Sequence, residues 1–359
     1  MRVVQLSVSG SFINIDTLDT HSVTIDWGDG STDTVVPLSA GVRLFNANHI
    51  YRDDNPTGTA SDGYTITVTI VDQDNDSGSD DIGITVNNVD PAIDPIMLSQ
   101  SAIDESQSVT VSGSFTDPAL GQLTETFTGT TVWSDGVVTL LTINGTLGTF
   151  STSRLFLDDH PATGTAFDLF TVDITINDDD LGSDVRTSPV LRVNNVAPVI
   201  TSFVSDATFE NKGNEGEPVN VTGAFTDIGT LDTHTVSVDW GDGSAPEMVT
   251  LVQGAGFGSV SGSHIYAAGG VYTVTLTVTD DDTGEHQLST LAVITGIGIN
   301  NGVLYIVGTN NNSGDHVSVN AVGKDRVRVH ADFIPQAFRH TTPDSLVKSS
   351  LISAMEMTT

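Results

Sequence analysis

Cysteine is absent from this chain of 359 residues. That excludes disulfides and a cysteine nucleophile, so each folded unit must rest on its own apolar core or on metal. Basic residues are scarce: 12 Lys and Arg, only 3 of them Lys, against 46 Asp and Glu, a net charge of −34. A field of that sign repels nucleic acid and anionic membrane surfaces, which need basic patches, and attracts divalent cations. No stretch approaches the ~20 apolar residues of a membrane helix. The opening Met1-Arg2-Val3-Val4-Gln5-Leu6-Ser7 has no apolar run of the kind a secretory signal requires. Aromatic residues make up 6%, few for a glycan-binding platform. Among the acids, 38 are Asp and 8 are Glu. Asp serves turns and cations whereas Glu favours helices, so the skew points to strands and loops.

Self-similarity dominates what remains. Thr17-Leu18-Asp19-Thr20-His21 leads into Asp26-Trp27-Gly28-Asp29-Gly30-Ser31, and Thr230-Leu231-Asp232-Thr233-His234 leads into Asp239-Trp240-Gly241-Asp242-Gly243-Ser244. A weakened copy reads Val132-Trp133-Ser134-Asp135-Gly136. The copies open on Gly10-Ser11-Phe12, Gly113-Ser114-Phe115 and Gly223-Ala224-Phe225. The stretch Asp53-Asp54-Asn55-Pro56 returns as Asp158-Asp159-His160-Pro161, and linkers Val86-Asn87-Asn88-Val89 and Val193-Asn194-Asn195-Val196 close the first two copies. Such spacing describes an array of similar domains. Within each copy the apolar period is two. Tyr64, Ile66, Val68 and Ile70 alternate with polar residues, as do Phe170, Val172, Ile174 and Ile176, and Tyr272, Val274, Leu276 and Val278. This is the pattern of half-buried antiparallel strands, and several short strands per copy give a β-sandwich. The expected fold class is all-β: tandem sandwiches followed by a short β-rich C-terminal segment.

The block Asp-Trp-Gly-Asp-Gly-Ser, followed by His49-Ile50-Tyr51 or His264-Ile265-Tyr266 and by a Tyr64 or Tyr272 strand, resembles the PKD (polycystic kidney disease) domain. Copy two departs from it: Ser134 replaces the first turn glycine, and Leu155-Phe156-Leu157 stands where His-x-Tyr belongs. The resemblance implies Ig-like sandwiches that serve extracellular and cell-surface proteins as adhesive, spacer or ligand-binding modules. The expected organisation is a PKD-like sandwich at 1–90 lacking its first strand, a diverged PKD-like or cadherin-like sandwich at 91–197, a PKD-like sandwich at 198–296, a β-ribbon at 297–338 and a poorly ordered tail at 339–359. The missing lead-in of copy one makes the chain an expected fragment of a longer array. The segment from Leu304 to Val317 resembles the start of a haemolysin-type calcium-binding region, but its glycine-aspartate nonapeptides are absent, so no ligand is carried over.

Trp27 and Trp240 end apolar strands, and Gly28-Asp29-Gly30 supplies a tight turn, so this block is expected to build core and turn. His49 and His264 are expected to be anchored by backbone hydrogen bonds. The candidate sites are the acidic turns after the Thr-rich strands: Asp72, Asp74 and Asp76; Asp178, Asp179 and Asp180; Asp280, Asp281 and Asp282. Calcium takes six to eight oxygens, and crowded carboxylates need screening. A solvated turn and a calcium site are both open readings of these residues. Asp53-Asp54 and Asp158-Asp159 are secondary candidates. No His-Glu-x-x-His, no Gly-x-Ser-x-Gly and no βαβ-borne glycine loop occurs. The sequence thus points to a non-catalytic, extracellular or surface-exposed adhesion or spacer stalk, calcium-stiffened, with an unidentified glycan or protein partner. The alternative is a carbohydrate- or protein-binding accessory region of a larger secreted hydrolase.

Overall fold

The computed structural model describes residues 5–333 apart from 55–56, 123, 160–163, 311–313 and 323–325. The expected tail at 339–359 lies outside the described residues. The fold is all-β. In copy one the strands Thr34–Leu38, His21–Asp26, Ser61–Asp72 and Ser77–Asn87 pair in that order, and Gln5–Ser11 pairs with Leu44–Ile50 in an opposing sheet. Copy two repeats the first sheet as Val138–Thr139, Thr128–Trp133, Val172–Asn177 and Ser183–Thr187. Its opposing sheet is larger, because Ser108–Thr116 pairs with Thr149–Leu155 and also with Ala92–Ile93 and Met97–Leu98. In copy three Pro218–Thr226 lies between Val199–Ser205 and Phe257–Ile265. Among the described residues Gln5–Ser11 has only the Leu44–Ile50 partner, whereas its counterparts are flanked on both sides.

That difference reaches the core. In copy three the inward alternation is complete, and Val236, Val238, Trp240, Val274, Leu276 and Val278 close against Val219, Val221, Phe225 and Val260 from the other sheet. Copy two likewise buries Phe170, Val172, Ile174 and Ile176. In copy one Tyr64 and Ile66 are buried but Val68 and Ile70 only half so, because a two-stranded opposing sheet covers less of them. The strand Glu285–Asn300 runs on through residue 296, where the third sandwich was expected to give way to a ribbon, and then pairs with Val303–Val307. A hairpin of Val317–Val322 and Arg326–Ala331 follows.

Contacts divide the chain into two compact units. One takes residues up to Ile103, Ser108–Leu155 and Leu169–Arg192. The other takes Asp104–Gln107, Phe156–Asp168 and residues from Val193 on. The second unit therefore holds copy three together with a turn and a loop that copy two contributes.

The repeated motif explains itself locally. Trp27 and Trp240 are fully buried. Gly28 and Gly30, and Gly241 and Gly243, have positive φ, the left-handed region glycine tolerates. The turn aspartate then fixes the histidine: His49 Nε2 donates to Asp29 at 2.7 Å and His264 Nε2 to Asp242 at 2.8 Å. Each histidine lies flat on its tryptophan, with ring centroids at 4.7 and 4.9 Å. Tyr51 and Tyr266 donate their hydroxyls to the carbonyls of Trp27 and Trp240. The anchor of these histidines is thus a turn carboxylate and an indole face rather than the backbone expected from sequence. In copy two the residue at this ladder position is Arg154, which pairs with Asp135 and stands over the Trp133 ring at 5.1 Å. Arg154-x-Phe156, not the Leu155–Leu157 stretch, takes the place of His-x-Tyr.

Two glycines of one turn separate the causes of strain. A Cβ on Gly241 would run into the carbonyl of Thr273, while one on Gly243 would meet nothing within 4 Å. Gly243→Ala costs about 1–2 kcal/mol through its φ alone. Gly241→Ala costs on the order of 3 kcal/mol or more because strain and clash add. Calorimetric melts of the two variants should show the larger drop for Gly241→Ala.

Candidate metal centres

All three acidic turns share one backbone design. The first aspartate accepts two amides of its own turn through Oδ1: Asp74 and Asp76 on Asp72, Asp180 and Gly182 on Asp178, Asp282 and Gly284 on Asp280. Asn75, Leu181 and Thr283 then turn the chain at positive φ. In the second and third copies a linker asparagine occupies the other oxygen. Asn88 Nδ2 reaches Asp178 Oδ2 at 2.9 Å and Asn195 Nδ2 reaches Asp280 Oδ2 at 3.0 Å. The middle aspartate caps a backbone amide, Asp179 that of Thr126 and Asp281 that of Thr233, both at 2.9 Å. The third aspartate, Asp180 or Asp282, joins a larger group of acids, and Asp179 also bonds Glu125 of that group.

The nine aspartates singled out from sequence therefore separate by role. Asp178, Asp179, Asp280 and Asp281 are engaged in holding turns. Asp74 and Asp76 are exposed and Asp72 half-buried. Asp180 and Asp282 are buried, which a solvated turn would not require.

In the first unit Asp53, Glu125 and Asp180 bring carboxylate oxygens within 4.8 Å of one another. Asp54 and Asp117 lie close by, 1% and 4% exposed, each with one oxygen lacking a hydrogen-bond partner. In the second unit two such trios form, Glu105 with Asp227 and Asp232, and Glu105 with Asp158 and Asp159. Glu105 is fully buried. Its Oε1 accepts the Val196 amide at 2.7 Å while Oε2 has no partner. Both oxygens of Asp232 are buried without partners. Asp227 is fixed by His234 Nε2 at 3.0 Å and by the Gly229 amide at 3.0 Å.

Burial, and then the neighbouring negative charges, push these carboxyls far above their usual range. Asp54 rises to about 7, beside Asp180, and Asp117 to about 6. Glu125 rises to about 9 against Asp179. Asp159 rises to about 7 against Asp282. Glu105 rises to about 8 and Asp232 to about 9, each raised further by Asp227. A buried carboxylate of this kind must bind a proton or be neutralised by a cation. Oxygen-only donor sets of this density suit a hard divalent cation such as calcium.

Sequence reading missed Glu105, Asp117, Glu125, Asp227 and Asp232. The signal was present in part: Phe115-Thr116-Asp117 and Phe225-Thr226-Asp227 repeat just after the Gly-x-Phe marker. Copy one has Asn14 in that stretch, where it donates to Asp19 at 3.2 Å and contacts His21 at 2.9 Å.

Comparison with known proteins follows the repeat pattern. Residues 195–295 match the family model of the PKD domain, which supports tandem PKD-like, Ig-like repeats. No curated protein matches the chain. Among solved structures, the tetra-tandem repeat in the extending region of a large adhesion protein is 15% identical, covering 89% of this chain and 74% of that one at a TM-score of 0.39. PcdhgB3 EC1-4 is 13% identical, covering 82% of this chain and 67% of that one at a TM-score of 0.24.

The raised carboxyls fix a pH dependence. In the metal-free folded state they hold protons above the unfolded pKa of ~4, so the folded state binds more protons than the unfolded one. Stability without cations is then highest near the unfolded pKa and is lost as pH rises through about 6 to 9. In EDTA the melting temperature should fall across that window. Asp232→Asn, which is neutral in the folded and unfolded states alike and so takes up no proton on folding, should raise it at pH 8 and flatten the slope.

Proposed function

We propose that this chain is a non-catalytic, extracellular or cell-surface repeat array, an adhesion or spacer stalk whose consecutive copies are tied by divalent cations, calcium foremost. The observation that carries the reading is where the carboxylates gather, among them Asp54, Glu105, Asp117, Asp159 and Asp232, each buried with an oxygen that lacks a hydrogen-bond partner. They collect where segments of one copy meet the next: Asp53 and Asp54 of copy one with Asp117, Glu125 and Asp180 of copy two, and Glu105, Asp158 and Asp159 of copy two with Asp227, Asp232 and Asp282 of copy three. Asn88 and Asn195 each donate to the first aspartate of the next acidic turn, Asp178 and Asp280.

A cation bound there neutralises charge that the fold otherwise disfavours. It stabilises the folded state by RT ln(1 + [L]/Kd), about 4 kcal/mol at a thousandfold excess over Kd. Because its ligands come from two copies, it also stops them moving independently. The surface composition accords with a stalk more than with a glycan platform, since Trp27, Trp133 and Trp240 are all interior. No helix among the described residues is long and apolar enough to cross a membrane. The partner held by the array is a glycan or protein whose chemistry these surfaces leave open.

A thermal melt of the full chain in EDTA, then in millimolar calcium or magnesium, tests the reading. Calcium should raise the melting temperature by several degrees and magnesium by clearly less, since magnesium demands near-ideal octahedral geometry and sheds water reluctantly. Equal or absent shifts would reject cation ties between copies.

A further inference from the structure

The two acidic clusters differ in kind, and Glu105 is the difference. In the first unit a single trio forms, Asp53, Glu125 and Asp180. In the second, two trios form and both contain Glu105, once with Asp227 and Asp232 and once with Asp158 and Asp159. We propose that the second unit holds a pair of calcium ions sharing Glu105 as a bridging carboxylate, while the first unit holds one. The proposal deepens the cation reading above and rests on it.

Three features support a pair over a single ion. First, the two trios share only Glu105 and draw their other ligands from different parts of the chain: Asp158 and Asp159 from a copy-two loop, Asp227 and Asp232 from copy three. One ion bound to either trio leaves the other trio's carboxylates uncompensated. Second, Glu105 and its four partners carry five formal negative charges, all on residues at most 8% exposed. One divalent cation leaves three of these unbalanced and two leave one, and in a poorly solvated site that residue of charge is decisive. Third, the shared carboxylate has a buried oxygen without a hydrogen-bond partner. Glu105 Oε2, with no exposed surface and no partner, points at the same spot as Asp232. A Cβ on Gly229 would collide with both Asp232 Oδ2 and Glu105 Oε2, so only glycine leaves that space to the carboxylates.

The backbone holds the bridge in place. The Val196 amide donates to Glu105 Oε1, and the Glu105 amide donates to the Asn194 carbonyl at 2.9 Å. Thr230 N donates to the Leu157 carbonyl at 3.0 Å, so the copy-two loop and the copy-three loop are joined next to the acids. The segments that carry the two trios are therefore joined by backbone hydrogen bonds before any ion arrives.

Calcium bound per full-length chain is measured by equilibrium dialysis with elemental analysis. Glu105→Gln should remove two ions relative to wild type, because the neutral amide weakens both half-sites. Asp232→Asn should remove one, and Glu125→Gln, in the other unit, should remove one. Circular dichroism in EDTA checks that each variant is folded, and the isosteric amides keep the packing. Loss of one ion or none from Glu105→Gln overturns the shared bridge while leaving the cation reading intact. A wild-type chain that binds no calcium overturns both.

Discussion

Everything else in this molecule depends on how a protein can keep several carboxylates out of water. A lone buried carboxylate is too costly to remain charged, and two side by side are costlier still. Here they are set at the ends of the sandwiches, with the first aspartate of each acidic turn satisfied by backbone amides and by a linker asparagine. The rest face one another. The fold therefore contains, at each meeting of copies, a charge that must be met by protons or by metal. In the proposed reading a cation bound there makes the stability of these segments follow the cation concentration.

Each sandwich also has an apolar core of its own. Each core is built around one tryptophan, and in copies one and three the same four residue types lock it: a turn aspartate, a histidine stacked on the indole, a tyrosine bonded to the tryptophan carbonyl and the glycines that let the turn close. Copy two reaches the same geometry with Arg154 and Phe156, exchanging a stacked imidazole for a guanidinium above the ring and a hydrogen-bonded tyrosine for a phenyl group. The substitution works because imidazole and guanidinium alike cover the indole and pair the turn carboxylate, and tyrosine and phenylalanine rings alike pack beside it.

Much of this was legible from sequence. The period-two strands, the repeat register and the core role of Trp27 and Trp240 follow from side-chain alternation and turn chemistry, which are local. The half-exposure of Val68 and Ile70 was not, since it depends on how many strands the opposing sheet has. The acidic sites were legible only in part. The Asp triplets lie in three turns of one design, but which aspartate holds the turn and which faces inward depends on the Asx geometry of turns whose chain reverses at Asn75, Leu181 and Thr283. Glu105, Asp117, Glu125, Asp227 and Asp232 were missed because they are single acids scattered along the chain, and only the packing of one copy's segments on the next gathers them. The secondary candidates Asp53, Asp54, Asp158 and Asp159 are central to the clusters, as their repetition hinted.

The most direct test of the account is hydrogen–deuterium exchange of the full chain with and without calcium. The account predicts slowed exchange confined to the segments that carry the acids: residues 51–54, 117–126 and 178–182, and 104–107, 156–159, 227–233 and 280–284. The sandwich cores should exchange alike in both conditions. Protection spread evenly over the chain, or none at all, would contradict the claim that cations act by tying one copy to the next.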